Sequence, residues 1–273
     1  MNDRHHVSTY VLAAVAIVVL TFPFFWMLSV SFKGDTEQFA FPPTLLPLEP
    51  ILDNYRRLLA DTNFPRYVQN SLVVALSTVA LALALASPAA YAMSRFRFLS
   101  KPVLTAAILF IYMFPPILLG VPLFVIFAKI GLTNSLFGLV LAHTTFALPF
   151  VLWMLRDFFL AVSPEIEEAA MVDGCGRLRV LWSIVMPVAR PGLIAAGIFA
   201  FILSWNDYIY ALILLSSESR RTITVGLALF VESTTIEPGL MMAGGVLVTA
   251  PVLVLFMFVQ KFLVQGLATG SVR

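Results

Sequence analysis

The chain has 273 residues, of which 60% are hydrophobic and only 12% charged. Water-soluble domains carry roughly a quarter charged residues, so this composition excludes a soluble globule. A net charge of +2 is too small to point to nucleic acid, and the single cysteine, Cys175, rules out an intrachain disulfide framework.

Uncharged runs set the organisation. Between Arg4 and Lys33 the chain carries no Asp, Glu, Lys or Arg, and its apolar part runs from Tyr10 to Phe32. Ser29-Val30-Ser31 has the small-x-small look of a signal-cleavage site. The stretch is longer than the roughly 7–15 residues of a signal core, so it reads as a retained anchor. Similar runs span Tyr67–Ser94, Pro102–Ala128, Ile130–Leu155 and Pro238–Gln260, while Pro191–Ser217 is broken only by Asp207. Each exceeds the roughly 20 residues needed to cross the hydrocarbon of a bilayer. The expected class is therefore an all-α membrane protein, one domain with six transmembrane helices. The spans fall at about 10–32, 69–94, 102–126, 134–155, 191–214 and 239–260.

Between the first two spans, 33–66 is polar and proline-rich, and Asp53–Leu59 has the pattern of a short amphipathic helix. The next connection, Arg95–Lys101, has three positive charges and no acid, whereas Ala128–Ser135 has only Lys129. The positive-inside rule places Arg95–Lys101 in the cytoplasm, and with it both termini and the connection 156–190. Segments 33–66 and 216–238 then lie outside, the second as a folded loop. Prolines 23, 88, 115, 116, 122, 149 and 251 sit in or beside the spans, as in the broken helices of transporters.

A charged island between apolar runs falls at Arg156–Arg190. It holds five acids (Asp157, Glu165, Glu167, Glu168, Asp173) and four arginines (Arg156, Arg177, Arg179, Arg190). Ser163 suits an N-cap, Pro164 the first helical position, and Glu165 and Glu167 the positive end of the helix dipole. Gly174 offers a left-handed C-cap. Leu178, Leu181, Trp182 and Val185 then repeat at helical spacing, and Pro187 should stop that helix near Met186. On these residues alone the segment reads equally as a docking surface and as a solvated hairpin lying on the bilayer.

Asp207 is the one acid inside an expected span, about 22 Å along its helix. An intramembrane carboxylate is costly and is a functional candidate by default. Its alternative role is to pair with a polar group and shape the helix. Trp205 and Asn206 beside it, with Asn70, Thr144 and Thr145, are candidates for a hydrophilic path. His143 reads as a packing residue or a proton relay. No phosphate-binding loop and no metal motif occurs in the sequence.

The pattern Glu168-Ala169-Ala170-x-x-Asp173-Gly174, with Pro187 thirteen residues after Gly174, resembles the EAA loop of ABC-importer permeases. Ser204-Trp205-Asn206-Asp207 and the ending Lys261–Gly270 are similar to segments of the maltose-permease G-type subunits in the carbohydrate-uptake group. The resemblance covers nearly the whole chain. Cys175 departs from the usual Ala, Leu181 from a frequent aromatic and Met186 from the usual Leu, which bears on the fit to a particular partner. The resemblance implies a type I ABC-importer permease fold in the cytoplasmic membrane of a prokaryote. The implied partners are a second permease, two ATP-binding subunits and an extracytoplasmic solute-binding protein, with a sugar as substrate. ATP and Mg would sit on the partner subunits, and this chain would bind no cofactor and catalyse no reaction. Glu167, Glu168, Ala169, Ala170, Asp173, Gly174, Met186 and Pro187 would couple to the ATPases. Gln265, Gly266 and Leu267 in the tail would reach the ATPase dimer, and Trp205, Asn206 and Asp207 belong to a possible pathway. A secondary carrier using Asp207 and His143 is the rival reading. A membrane-embedded enzyme is disfavoured, because the sequence shows no cluster of acid, base, nucleophile or metal ligand.

Overall fold

A computed structural model describes residues 3–99, 101–113, 115–232 and 237–270, and no described residue is in a strand. In chain order the helices are α1 Asp3–Ser31, α2 Asp35–Gln38, α3 Asp53–Ala60, α4 Phe64–Arg95, α5 Lys101–Met113, α6 Pro116–Lys129 and α7 Leu136–Leu160. There follow α8 Pro164–Val172, α9 Arg177–Val180, a π-turn Leu181–Val185, α10 Met186–Val188, α11 Arg190–Trp205, α12 Ile209–Leu214, α13 Ile223–Glu232 and α14 Pro238–Gly270. Among the described residues four helices are long and apolar enough to span a bilayer: Thr9–Ser31, Phe64–Arg95, Leu136–Leu160 and Pro238–Met257. A fifth candidate is the pair Arg177–Val188 and Arg190–Trp205, bent by 83° at the break between them.

Two expected spans are not single helices. The run 102–126 divides into α5 and α6 at Pro115–Pro116, where adjacent prolines remove two backbone donors. The run 191–214 stops at Trp205 and resumes at Ile209. By contrast Pro23, Pro88, Pro122, Pro149 and Pro251 lie inside helices that continue past them.

The chain forms two compact units. The first contains 1–65 and 226–251. Here the amphipathic helix expected at Asp53–Leu59 is α3, which buries Asn54 and Leu58. Asn54 Nδ2 donates to Ser31 O (3.0 Å) and Lys33 O (2.9 Å), and Ser31 Oγ lies 2.8 Å from Tyr55 Oη. These bonds satisfy the end of α1. Glu37 accepts from Thr44 Oγ1 (2.7 Å) and Leu48 N (3.0 Å). The Thr44 hydroxyl holds the Glu37 carboxyl below its usual range. The apolar residues of α1 from Tyr10 to Phe25 are exposed, and the helix is long and apolar enough to span a bilayer.

The second unit contains 66–225 and 252–273. One core stacks Ala82, Ala86 and Ala90 of α4 near Ala147, Val151, Leu155 and Phe159 of α7 and Ala196 and Ala200 of α11. The i, i+4 alanine rows allow close helix approach, which is how helices associate when lipid is as apolar as they are. Gly192 belongs to the same design: a Cβ there would lie 2.3 Å from the Phe158 ring. A second core joins Phe127 of α6, Leu139 of α7, and Tyr210 and Leu214 of α12.

Candidate functional site

The charged island folds as a hairpin in the second unit. Pro164 opens α8 as expected, but Ser163 makes no cap bond; its hydroxyl instead donates to Glu165. That bond is the main reason the Glu165 carboxyl titrates below its usual range. At the other end Gly174 adopts φ +85°. Gly174 N donates to Met171 O (3.1 Å) and Cys175 N to Ala170 O (3.0 Å), the paired bonds of a Schellman cap.

Where the second helix was expected to stop near Met186, it continues to Val188 through the π-turn, with Met186 N–H bonded to Leu181 O. The wider turn accommodates Pro187, which has no donor to lose and whose ring would clash in a regular α-turn. The bend falls instead at Ala189, just before Arg190-Pro191. The buried stripe shifts with it. Val180, Leu181, Val185 and Ala189 are buried, whereas Leu178 and Trp182, expected on that stripe, are exposed.

The EAA residues divide by face. Glu167 points into the protein: its Oε1 accepts from Arg95 Nε (2.8 Å) and Nη2 (2.5 Å), and its Oε2 from Tyr91 Oη (2.8 Å). Arg95 Nη2 also donates to Phe159 O (2.8 Å) and Val162 O (2.9 Å). The side chains of Arg95 and Glu167 are 11% and 4% exposed, so the pair is dry and its polar groups are met on several sides. It ties α8 to the ends of α4 and α7. Ala170 packs on the alanine core, and Met186 does so from α10. Glu168, Ala169, Asp173 and Pro187 are exposed, and Glu168 makes no hydrogen bond or ion pair among the described residues. Ile166 (50%), Val172 (88%) and Leu178 (71%) add apolar surface to the hairpin's outer side. Sequence reasoning missed Arg95 and Tyr91. Arg95 stood out there only as part of a basic loop that set orientation.

Asp207 and His143 come together. His143 Nε2 lies 3.1 Å from Asp207 Oδ2, an ion-pair distance without the alignment of a hydrogen bond. Its Nδ1 is 2.7 Å from Ser204 Oγ. Asp207 also accepts from Tyr210 N (3.3 Å) and Ala211 N (2.9 Å), capping the first turn of α12. It therefore pairs with a polar group and shapes the helix. Of its neighbours, Asn206 is exposed, whereas Trp205 is buried at 1% against the Phe201 ring. Asn70 is also buried, donating to Ser219 O (3.0 Å) and Arg221 O (2.8 Å). Thr144 bonds Val140 O, and Thr145, which is exposed, bonds Leu141 O. Gln265, Gly266 and Leu267 lie on α14, and their side chains fall outside the described residues. Among the described residues no three His, Cys, Asp or Glu side chains group as metal ligands.

Long apolar helices, a sharply bent helical pair and an internally anchored hairpin with an exposed charged face are the features of a membrane protein. Residues 79–269 match the family described as the binding-protein-dependent transport system inner membrane component, and the chain belongs to that family. It is 38% identical over 262 residues to an inner membrane ABC transporter permease protein, YcjP, of Escherichia coli, covering 95% of this chain and 94% of that one. It is 35% identical over 275 residues to the trehalose transport system permease protein SugB of Mycobacterium tuberculosis, covering 100% of both. The trehalose/maltose permease protein MalG of Thermococcus litoralis is 33% identical over 264 residues, covering 96% of this chain and 94% of that one. The fold is shared with a chain of a bacterial ABC transporter involved in import of the acidic polysaccharide alginate. That match has a TM-score of 0.83 at 24% identity, over 95% of this chain and 96% of the other.

Proposed function

We propose that this chain is a permease subunit of an ATP-driven, binding-protein-dependent importer and forms half of the path for a sugar, a di- or oligosaccharide. The sugar class rests on relatives named for trehalose and maltose. In this reading the chain crosses the membrane six times with both termini in the cytoplasm, as the charges of Arg95–Lys101 require. It pairs with a homologous permease, two ATP-binding subunits and an extracytoplasmic solute-binding protein. ATP and Mg are handled by the ATP-binding subunits, and this chain performs no catalysis.

The observation that carries the coupling role is the two-faced hairpin. Glu167 fixes it from within, while Glu168 is left exposed beside Ile166 and Val172. A surface tied to the ends of two long helices transmits a push as rigid-body motion. Closure of the ATPases would thus rock the spans between inward- and outward-facing states. The tail at Gln265–Leu267 would add a second contact to the ATPase dimer, and 216–238 would face the binding protein.

Glu168→Lys tests this reading. The exposed site leaves folding within about 0.5 kcal/mol of wild type. The ATP-binding subunit should no longer co-purify, or its hydrolysis should stop responding to loaded binding protein in nanodiscs. Wild-type values for both would return the hairpin to a solvated surface element. The ligand held by the cognate binding protein would identify the sugar.

The proximity of His143 and Asp207 supports one rival, a proton-coupled carrier. Uptake into vesicles distinguishes them: the importer needs ATP on the cytoplasmic side, whereas the carrier runs on a proton gradient alone.

A further inference from the structure

A cavity of about 600 Å³ lies where α4 gives way to α5. Three cations line it, Arg97, Lys101 and Arg156, together with an apolar wall of Phe98, Pro102 and Ala106. No acid lines it. The cations are poorly satisfied by the protein. Arg97 is exposed and makes no ion pair among the described residues, and Lys101 Nζ reaches only Phe96 O at 3.3 Å. Arg156 meets Asp157 at 3.8 Å, and its Nε is buried without an acceptor. The site also lies where one apolar helix ends at Arg95 and the next begins at Lys101, the level of a membrane surface. At the intervening loop tip Leu99 is fully exposed at 103%.

We propose that this cavity binds an anionic phospholipid, with its phosphate on Arg97, Lys101 and Arg156 and its first acyl carbons against Phe98, Pro102 and Ala106. Charge complementarity selects the ligand. Three cations without a facing acid suit a phosphodiester, and guanidinium forks match phosphate oxygens. A neighbouring apolar wall suits a tail and is wasted on a soluble anion. A zwitterionic lipid would bring its own cation to the same cluster and lose that advantage. A second cavity, of about 460 Å³, shares Arg97 and Lys101 but is lined by Glu167 and Glu168 as well, so the phosphate belongs on the acid-free side. The proposal requires only that this end of α4 lie at a membrane surface. It does not depend on the transported solute or on the ATPase contact.

The full chain, purified with whatever subunits accompany it, is equilibrated in mixed micelles containing equal phosphatidylglycerol and phosphatidylcholine. Native mass spectrometry then counts retained lipid. One phosphatidylglycerol per chain should survive delipidation in preference to phosphatidylcholine, and added salt should weaken its retention. Neutralising the cluster as Arg97→Gln, Lys101→Gln and Arg156→Gln should lower retention by about fivefold for each cation removed. The exposed Arg97→Gln alone gives the first step should the triple variant fail to fold. Equal retention of the two lipids by wild type would overturn the proposal. So would unchanged retention in Arg97→Gln together with salt-independent binding by wild type. Displacement by millimolar inorganic phosphate would assign the cluster to a soluble anion and likewise overturn the lipid.

Discussion

Arg95 and Glu167 are separated in sequence by α5, α6 and α7 and form an ion pair whose two side chains are almost wholly buried. Such a pair contributes little net stability relative to apolar residues of the same shape, because both charges lose water. Breaking it is another matter. Arg95→Ala leaves Glu167 buried with only Tyr91, and should cost about 3–5 kcal/mol in unfolding free energy, measured by denaturation in detergent. Replacing both residues by methionine should recover most of that loss; an equal loss in the double variant would mean that Arg95 acts chiefly through Phe159 O and Val162 O. Asp207 has two separable tasks, capping α12 and facing His143. Asp207→Asn keeps an acceptor for the cap but loses the charge, whereas Asp207→Ala loses both. The alanine variant should be destabilised by about 1 kcal/mol and the asparagine variant much less. If ATP-dependent uptake fails equally in both, the charge matters for transport and not only for shape.

At the level of elements, the hairpin depends on one glycine. A Cβ at Gly174 would meet nothing within 4 Å, so any penalty of substitution is conformational, set by φ +85°. Gly174→Val should cost about 1–2 kcal/mol locally and misalign α8 against α9. Gly174→Asn should cost less, because asparagine tolerates the left-handed region. The check is ATPase activity stimulated by loaded binding protein: reduced in the valine variant, close to wild type in the asparagine variant. Equal activity of both would mean that the turn's geometry is not transmitted. The π-turn at Leu181–Val185 is the other local device. By carrying the helix past Pro187 it moves the bend to Ala189 and buries Val180 with Val185, a stripe that strict 3.6-residue spacing does not produce.

For the whole molecule, orientation in the membrane is the property from which the other roles follow. Cys175 is the lone thiol and is half-buried at the hairpin's turn. A membrane-impermeant maleimide should leave it unlabelled in intact cells and label it in inside-out vesicles stripped of ATPase. Labelling in intact cells would invert the topology and remove the hairpin from the reach of any cytoplasmic ATPase. The test is informative because the charge bias rests on a few short loops, Arg95–Lys101 foremost.

The sequence by itself determined what local chemistry decides. Apolar runs made helices at α1, α4, α7 and α14, Pro164 and Gly174 bounded α8, and Asp53–Leu59 gave α3, because periodicity, proline and glycine act within a few residues. It also exposed the EAA pattern. It did not say which of two adjacent glutamates faces inward, since Glu167 and Glu168 differ by only one helical step. That was decided by Arg95 and Tyr91, more than 70 residues upstream, which α4 brings under α8. Likewise the pairing of His143 with Asp207 spans α7 and the end of α11. The breaks at Pro115 and after Trp205 interrupt runs that hydropathy reads as continuous. Hydropathy sums over a window and is blind to where a helix may stop, whereas a break is stable only where packed neighbours or a capping side chain satisfy the freed backbone groups. Tertiary structure alone supplies those partners.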